Sequence, residues 1–459
     1  MKGRKLSMRM IDKLFSYFFD APSRKVAARF GANRVVSISS GVNHLSIPTH
    51  LRELLHREID TSTYLSSYTS PLGHDLVRSC IAVYENYLAH KKVFNLENIA
   101  ITLGSTEGIF LAFLFLATKK EKVSALTLGP QYPLIFDLLE RAGFRNIQEC
   151  INFSGNQFLP SPEEAVLQIT TFNPDVIFIS VPNNPTGEQY SIGDFTYIVD
   201  AAIKNHCYIV IDQISTDLSF HPRQEFVNYF EPLAKMGIDR IIRVDSLSKK
   251  RGFSGARFGY VISSDEFTNF IKEYNYRHIL CPVMFGIDMV SVDIFYRSYL
   301  WLNSKCSDRD NEKNYNSLID AIEEVYGSKF NCVADFITES AHISSYQTEL
   351  NNNAKILVDN EQFFRSKMET EVAVTSWKAG FNFMAKLPCR SFDQYQFAIE
   401  LFETAGLRSF PEACFFLNED KNTHSDQTGI WTRISVAEPS MIFDDAISRL
   451  DVFLRQIRL

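Results

Sequence analysis

Short apolar segments alternate with helical patterns through the middle of the chain. Six segments rich in β-branched, apolar or aromatic residues predict strands at 99–103, 123–128, 176–181, 207–211, 240–244 and 258–262. Helical patterns lie between most of them, and the apolar run Ile109 to Ala117 predicts a buried helix. This alternation is typical of an α/β domain with a mainly parallel sheet, in which ligands bind at the carboxyl ends of the strands.

The two ends of the chain show other patterns. Apolar residues from Met10 to Phe18 recur at helical spacing, which predicts a helix that docks on the body of the protein. Strand-like 381–385 and 429–436, with helices near 392–405 and from Phe443, indicate a smaller α+β domain. Further helices are predicted near 49–59, 75–91 and 317–325. The polar segment 303–316 predicts an exposed loop or a helix entry, and 326–360 give mixed signals that place no element.

Composition narrows the possible functions. A chain of 459 residues with 45% hydrophobic residues has room for two domains. Its net charge of −7 argues against a nucleic-acid partner, and it has no Walker-type phosphate loop. The eight cysteines form no C-x-x-C pair, so we expect no metal site and a reducing, cytoplasmic location. The longest apolar run is too short to cross a bilayer, and the basic N-terminus lacks the pattern of a signal peptide, so we expect no membrane partner.

The most informative stretch is the loop between the last two predicted strands, residues 245–260. It carries two hydroxyls, Ser246 and Ser248, then Lys249, and Arg257 eight residues further on. Hydroxyls and a forked guanidinium are suited to binding a phosphate, and a lysine amine can form a Schiff base with an aldehyde. A solvated basic loop is the alternative interpretation.

This arrangement resembles the lysine loop of the class I and II aminotransferases of fold type I, the aspartate aminotransferase-like enzymes that use pyridoxal 5′-phosphate (PLP). The resemblance extends over about residues 41–450 and implies that Lys249 carries PLP as a Schiff base. It also implies a large domain with a mostly parallel seven-stranded sheet between helices, and a small α+β domain from both chain ends. We place an N-terminal segment of the small domain at 1–60, the large PLP-binding domain at 61–325 and the C-terminal small domain at 326–459.

Two turns match further parts of the same family. Ser105 and Thr106 follow Gly104 at the predicted start of a helix, where free N–H groups and the helix dipole attract an anion. The resemblance makes them donors to the PLP phosphate, and ordinary helix capping is the alternative. Tyr132 lies between Pro130 and Pro133, and the resemblance places it over the pyridine ring; a surface turn is the alternative.

Two further motifs supply polar groups at strand ends. In Asn183-Asn184-Pro185-Thr186-Gly187, the resemblance directs Asn184 to the phenolic oxygen of the cofactor. Asp212 ends an apolar strand, and the resemblance pairs it with the protonated pyridine nitrogen, which keeps the ring an electron sink. A helix cap is the alternative for Asp212.

The segment after Asp212 departs from the family pattern. Most relatives have Asp-Glu-x-Tyr, whereas this chain has Asp212-Gln213-Ile214-Ser215. Ser215 occupies the cofactor-binding position but is too short to replace the tyrosine, so the phenolic oxygen has one donor fewer. Because this should change the proton affinity of the imine, chemistry other than transamination stays open.

The resemblance also implies which residues bind the substrate and which residue reaches the active site of a second subunit. Arg433, in Trp431-Thr432-Arg433-Ile434-Ser435, is implied to clamp the α-carboxylate of the substrate, with Asn184 and Gly41 beside it. Tyr68, five residues before Gly73, is implied to reach the phosphate of the neighbouring subunit's cofactor, which predicts a homodimer with shared active sites. A surface charge on a strand is the alternative for Arg433, and a structural loop is the alternative for Tyr68.

The resemblance therefore implies an aminotransferase that converts a small-molecule α-amino acid to a 2-oxo acid. Lys249 moves the Cα proton, Asp212 stabilises the resulting charge and Tyr132 stacks on the ring. A PLP-dependent lyase, cyclase or oxidase on the same fold is the main alternative. A PLP-binding regulator and a non-enzymatic α/β interaction protein are the remaining two.

Overall fold

The computed structural model describes eleven stretches of the chain: residues 9–31, 34–61, 64–152, 154–216, 228–283, 285–305, 311–328, 340–368, 372–389, 392–418 and 428–458. The strands, numbered in chain order, are Val36–Ser37 (β1), Ile99–Leu103 (β2), Ser124–Leu128 (β3), Asn146–Cys150 (β4), Val176–Ser180 (β5), Tyr208–Asp212 (β6), Ile241–Ser246 (β7), Phe258–Ile262 (β8), Asn382–Leu387 (β9), Leu407–Arg408 (β10) and Ile430–Ser435 (β11).

The helices are numbered in the same way. They are Met10–Phe19 (α1), Ala21–Phe30 (α2), Thr49–Thr61 (α3), Asp75–Ala89 (α4), Ser105–Ala117 (α5), Leu134–Ala142 (α6), Pro162–Phe172 (α7), Ile192–Lys204 (α8), Phe230–Met236 (α9), Leu247–Lys250 (α10), Asp265–His278 (α11), Ile287–Lys305 (α12), Asn311–Tyr326 (α13), Ser340–Met368 (α14), Gln394–Ala405 (α15) and Ser440–Arg458 (α16).

A seven-stranded sheet forms the centre of the molecule, in the order β2-β8-β7-β6-β5-β3-β4. Strands β3 to β7 run parallel to one another, and β8 is antiparallel to both β7 and β2. The seven-stranded, mostly parallel sheet predicted from the resemblance is therefore confirmed. Because all parallel strands end at one edge, Asp212, Ser246 and the residues after Ser180 lie at that edge.

Helices cover both faces of the sheet, which explains why its strands read as continuous apolar runs. On β5, Phe178 faces the core beneath α5 and α6, and its neighbour Ile179 faces the core beneath α7 and α8. The apolar helix predicted around 109–117 is confirmed as α5, which packs in the first of these cores. Within the described residues, no helix is long and apolar enough to cross a membrane.

Both ends of the chain join in the second structural unit. β1 pairs in parallel with β10, although more than 350 residues separate them, and β9 pairs antiparallel with β11. Helices α14 and α16 pack on this small sheet, and α1 packs on α15. The docking helix predicted at the N-terminus is thus confirmed, whereas the domain boundaries at residues 60 and 325 stay a prediction.

All six predicted strands are present, with shifts of one or two residues at their ends. Sequence patterns missed β4, because this edge strand alternates exposed and partly buried residues and has no apolar run. They also missed α14, whose C-terminal part packs in the hydrophobic core of the small domain. The polar 303–316 segment contains the end of α12 and the start of α13; residues 306–310 lie outside the described part of the chain. The predicted loop at Lys249 contains the one-turn helix α10.

Candidate active site

Lys249 lies on a short turn fixed by hydroxyl groups. β7 ends at Ser246, whose Oγ accepts a hydrogen bond from the Ser248 N–H (3.0 Å) and donates to the Phe258 carbonyl (2.7 Å). The first bond caps a backbone N–H at the start of α10, and the second connects the turn to β8. The Lys249 ammonium donates to the carbonyl of Gly41, and its own carbonyl accepts from Asn43 Nδ2 (2.8 Å). The lysine therefore bridges the sheet edge and the N-terminal segment.

The surroundings of Lys249 make its amine unusually acidic. Its pKa is lowered to about 8, mainly by burial and also by the guanidinium groups of Arg433 and Arg257, while Asp212 opposes the shift. A lysine with this pKa has an appreciable neutral fraction near neutral pH. Only the neutral amine is a nucleophile or a base, so the site prepares Lys249 for both roles.

Asp212 lies at the end of β6 and keeps only 6% of its surface exposed. Its Oδ1 accepts a hydrogen bond from the Ile214 N–H (3.0 Å). Burial raises the pKa of the carboxyl to about 6; the charge of Asp245 adds to this rise, while Lys249 and Lys250 oppose it. At neutral pH Asp212 is thus mainly an anion in a poorly solvated site, and such an anion is suited to pairing with a bound cation.

The start of α5 forms a cradle for an anion. Gly104 precedes the helix with φ = 79°, and Ser105 and Thr106 are the first two helical residues. Arg257 donates from Nη2 to the Leu103 carbonyl (3.1 Å), and a Cβ at Gly104 would lie only 2.6 Å from that nitrogen. The guanidinium therefore lies directly beside the helix N-terminus, where free N–H groups and the dipole favour negative charge.

A second glycine allows β8 to approach this cradle. A Cβ at Gly259 would lie 2.5 Å from the carbonyl carbon of Gly104 and 2.6 Å from the Ser105 nitrogen. Gly259 pairs with Ser246 across β7 and β8, so the serines of the lysine turn lie beside the same helix start. Ser105 is thus brought together with Ser246, Ser248 and Arg257 of the lysine loop, which lies far from it in the sequence.

Arg433 extends from β11 of the small unit towards the sheet edge. Its Nη1 donates to Asn184 Oδ1 (3.0 Å) and its Nη2 to the Ser39 carbonyl (2.5 Å), while the guanidinium lies 4.8 Å from the ring centre of Phe415. A Cβ at Gly41 would lie 3.6 Å from Nη2. Arg433, Asn184 and Gly41, which the resemblance assigns to the substrate, therefore lie together, and their role stays a prediction.

The guanidinium of Arg433 is incompletely satisfied. It is only 4% exposed, and within the described residues its Nε has no hydrogen-bond partner. Burial lowers the pKa of Arg433 to about 10, and the charges of Tyr132 and Cys414 oppose this shift. A buried cation with an unused donor favours the binding of an anion such as a carboxylate.

Tyr132 follows β3 and lies at the rim of this group, with 37% of its surface exposed. Burial raises the pKa of its phenol; Arg433 and Arg257 oppose the rise and Asp212 adds to it. These three charges act on Tyr132 together, which places its ring among the predicted site residues. Its open face leaves room for a flat ligand.

Three of the predicted residues contribute differently. Tyr68 lies on the surface and is 81% exposed, so its predicted role depends on a second subunit. Gly73 has φ = 101°, and a Cβ there would lie 2.3 Å from Ile101 Cγ1, so only glycine fits this turn. Ser215 is partly buried, and its Cβ lies 3.7 Å from the position of a Cβ at Gly380, which places it against the small unit.

Sequence patterns missed several contributors to the site. Ser39 supplies a carbonyl to Arg433, Asn43 binds the carbonyl of Lys249, and Phe415 packs under the guanidinium. Each contact joins segments more than 15 residues apart, and most join segments hundreds of residues apart, so no local pattern contains it. The one available signal is the segment Gly41-Val42-Asn43-His44, which has the composition of a turn and contains Asn43.

The sequence was compared with known families and proteins. The model of the family described as "Aminotransferase class I and II" matches residues 33–446. An aspartate aminotransferase of Thermotoga maritima is 30% identical over 202 residues, which cover 43% of this chain and 50% of that protein. The chain thus spans half the length of this relative in the alignment. An LL-diaminopimelate aminotransferase of Dehalococcoides mccartyi is 26% identical over 360 residues, 77% of this chain and 90% of that protein.

Solved structures share the fold along almost the whole chain. The aspartate aminotransferase of Thermotoga maritima superposes with a TM-score of 0.66 at 20% identity, covering 96% of this chain and 99% of the other. An aminotransferase of Mycobacterium tuberculosis gives a TM-score of 0.71 at 16% identity, with 99% and 100% covered. At these identities the structural likeness establishes the architecture.

Proposed function

The chain belongs to the aminotransferase class I and II family, whose members depend on PLP, and from this premise we propose that it transfers the amino group of an α-amino acid to a 2-oxo acid. Lys249 is the proposed cofactor-binding and catalytic lysine. The observation that carries the proposal is the convergence of this lysine, of lowered pKa, with the buried carboxylate of Asp212 and the anion cradle at Gly104.

The residues at the sheet edge fit PLP on three counts. The neutral amine of Lys249 suits the aldehyde, and the buried anion of Asp212 suits the protonated pyridine nitrogen. The start of α5 with Arg257 suits the phosphate, because the glycines at 104 and 259 leave the helix N-terminus accessible at close range. Each part of the cofactor thus has a complementary group.

The side chains of the site have different proposed roles in the reaction. PLP, when bound, supplies an electron sink for the electrons released at Cα. The Nζ of Lys249 accepts the Cα proton and returns it, for which its pKa of about 8 is well matched near neutral pH. Asp212 keeps the pyridine nitrogen protonated, and Tyr132 covers one face of the site.

Arg433 selects and orients the substrate. Its guanidinium is buried and is directed by Asn184 and by the Ser39 carbonyl, and its Nε donor has no partner among the described residues. A carboxylate can pair with such a group in a forked geometry, which holds the substrate so that one Cα bond is presented to Lys249. The proposed substrate class is therefore amino acids with a free α-carboxylate.

Ser215 favours a second candidate function. It replaces the tyrosine that most relatives place beside the phenolic oxygen of PLP, and it lies against the small unit near Gly380. The loss of one donor changes the proton affinity of the site, which can divert the same chemistry to elimination, cyclisation or oxidation. A PLP-dependent lyase, cyclase or oxidase is therefore the alternative.

We further propose a cytoplasmic homodimer with shared active sites. Leu65, Tyr68, Tyr276 and Leu280 are exposed apolar or aromatic side chains, with exposed fractions from 40% to 81%. Asn275 Nδ2 donates to the Pro71 carbonyl (2.8 Å), which ties the end of α11 to the loop of Tyr68. An exposed patch of this kind supports pairing with a second copy.

A panel of the common amino acids, incubated with the PLP-loaded protein, distinguishes the two candidates. Repeated transamination requires a 2-oxo acid acceptor, so more than one new 2-oxo acid per bound cofactor should form only when an acceptor such as 2-oxoglutarate is present. Products that accumulate without an acceptor support the lyase, cyclase or oxidase alternative. Lys249→Ala is the control, since any product that it still forms does not depend on the proposed lysine.

A further inference from the structure

The residue next to Lys249 is a second lysine with a different environment. Lys250 is 3% exposed, and its Nζ lies 2.5 Å from Oδ2 of Asp245, which is 2% exposed. The same oxygen accepts a hydrogen bond from the Tyr260 hydroxyl (2.9 Å), and Oδ1 accepts from the Ser246 N–H (2.6 Å). A buried ion pair therefore lies directly beneath the lysine turn and joins both of its ends.

This pair lies beside Asp212. β6 and β7 are neighbours, Asp212 pairs with Val244, and the Gln213 N–H donates to the Val244 carbonyl (2.9 Å). Asp245 is the next residue on β7. Two carboxylates thus end adjacent strands, and the charged or titratable groups that act on Asp212 are Asp245 on β7, Lys249 and Lys250 on α10, and Tyr132 after β3.

A buried ion pair contributes little net free energy to the stability of a turn. Two apolar side chains of similar volume often stabilise a fold as well or better, because charges lose their hydration on burial. The Lys250–Asp245 pair lies beside a second buried carboxylate, that of Asp212, and this location favours an electrostatic role for the pair. Without the ammonium of Lys250, the carboxylate of Asp245 would repel the charge on Asp212 in a site of low polarity.

We propose that Lys250 is a positioning residue: paired with Asp245, it fixes the turn that presents Lys249 and balances the charge that would otherwise disfavour an anionic Asp212. This inference rests on the proposed role of Asp212 as the anion that binds the protonated ring of the cofactor. Lys250 itself is not a catalytic residue, since its ammonium is directed at Asp245, away from the group formed by Lys249 and Arg433.

The test compares cofactor binding as a function of pH in four proteins: wild type, Lys250→Met, Asp245→Asn and the double variant. Apoprotein is titrated with PLP, the dissociation constant is read from the change in cofactor absorbance, and the pH at which affinity is lost on acidification is recorded. A single uncompensated charge near a carboxyl changes its protonation equilibrium by at least about tenfold. Melting temperatures of the apoproteins report the cost to folding separately.

The expected result has opposite signs for the two single variants. Lys250→Met should lose affinity for PLP about one pH unit above wild type, so binding should be about twofold weaker at pH 7 and about tenfold weaker at pH 5. Asp245→Asn should retain affinity to a lower pH than wild type, and the double variant should return close to wild type. Asp245→Asn has the same size and shape as the native side chain, and its amide oxygen can still accept the bond from the Ser246 N–H, so it supplies the test if Lys250→Met does not fold.

Three outcomes overturn the inference. These are a wild-type pH dependence in Lys250→Met, a double variant as impaired as Lys250→Met, or an Asp245→Asn midpoint at or above that of wild type. The last two would assign the pair a structural role alone. Wild-type protein that binds no PLP at any pH would instead overturn the proposed function.

Discussion

Gly259→Ala tests the anion cradle through one added methyl group. The new Cβ would lie 2.5 Å from the Gly104 carbonyl carbon and 2.6 Å from the Ser105 nitrogen. The start of α5 must therefore retreat by about 0.9 Å to restore an ordinary contact of 3.4 Å. All atoms involved are backbone, so no flexible side chain can absorb the change.

The displacement is large on the scale of a hydrogen bond. A phosphate oxygen at about 2.9 Å from a helix N–H would move to about 3.8 Å, beyond hydrogen-bonding distance. Losing one bond to a charged group costs about 1.5–3 kcal/mol, and 1.4 kcal/mol corresponds to tenfold in a dissociation constant. We expect PLP to bind about 10- to 150-fold more weakly, and the fold itself to lose about 1–3 kcal/mol.

The chain offers a matched control four residues away. A Cβ at Gly255 meets no atom within 4 Å in the part of the chain that the structure describes, so Gly255→Ala adds the same methyl group without a collision there. PLP titration of both apoproteins by absorbance, with melting curves beside it, separates cofactor binding from stability. A Gly259→Ala protein with a wild-type dissociation constant, or an equal loss in both variants, would refute the cradle.

Three further variants test other parts of the site. Asp212→Ala should weaken PLP binding, and in wild type affinity should fall as the pH drops through about 6, where the carboxyl gains its proton; absorbance titration at several pH values checks both. Arg433→Lys should raise KM for the amino acid about 10- to 100-fold with little change in PLP affinity, since only the forked pairing with the carboxylate is lost; equal loss of both would contradict the assignment. Tyr68→Phe should weaken PLP binding in the dimer, and mixing it with Lys249→Ala protein should regenerate partial activity if sites are shared; sedimentation and activity after mixing measure this.

Local patterns predicted the parts of the fold that depend on neighbours in sequence. The β-branched runs before Asp212 and Ser246 predict β6 and β7, because both faces of a central strand are buried. The same reasoning places Asp212 and Lys249 at one sheet edge. Sequence patterns missed β4 because it is an edge strand with polar, exposed positions, and they missed α14 because polar Asn360 and Glu361 occupy buried positions of this helix.

The remaining features depend on contacts between distant segments. Lys249 binds the Gly41 carbonyl across 208 residues, and Arg433 binds the Asn184 side chain across 249. The closeness of Gly259 to Gly104 follows from the pairing of β8 with β2, which no local pattern contains. The pairing of Lys250 with Asp245 is closer in sequence, but only burial distinguishes it from a solvated basic loop.

The central claim is that one amine, that of Lys249, carries the cofactor. The PLP-loaded protein is reduced with borohydride, digested and mapped by mass spectrometry, with Lys249→Ala treated in parallel. The account predicts a pyridoxyl mass on Lys249, none on the neighbouring Lys250, and none in the variant. A protein saturated with PLP that shows the label on another residue, or no label at all, would contradict it.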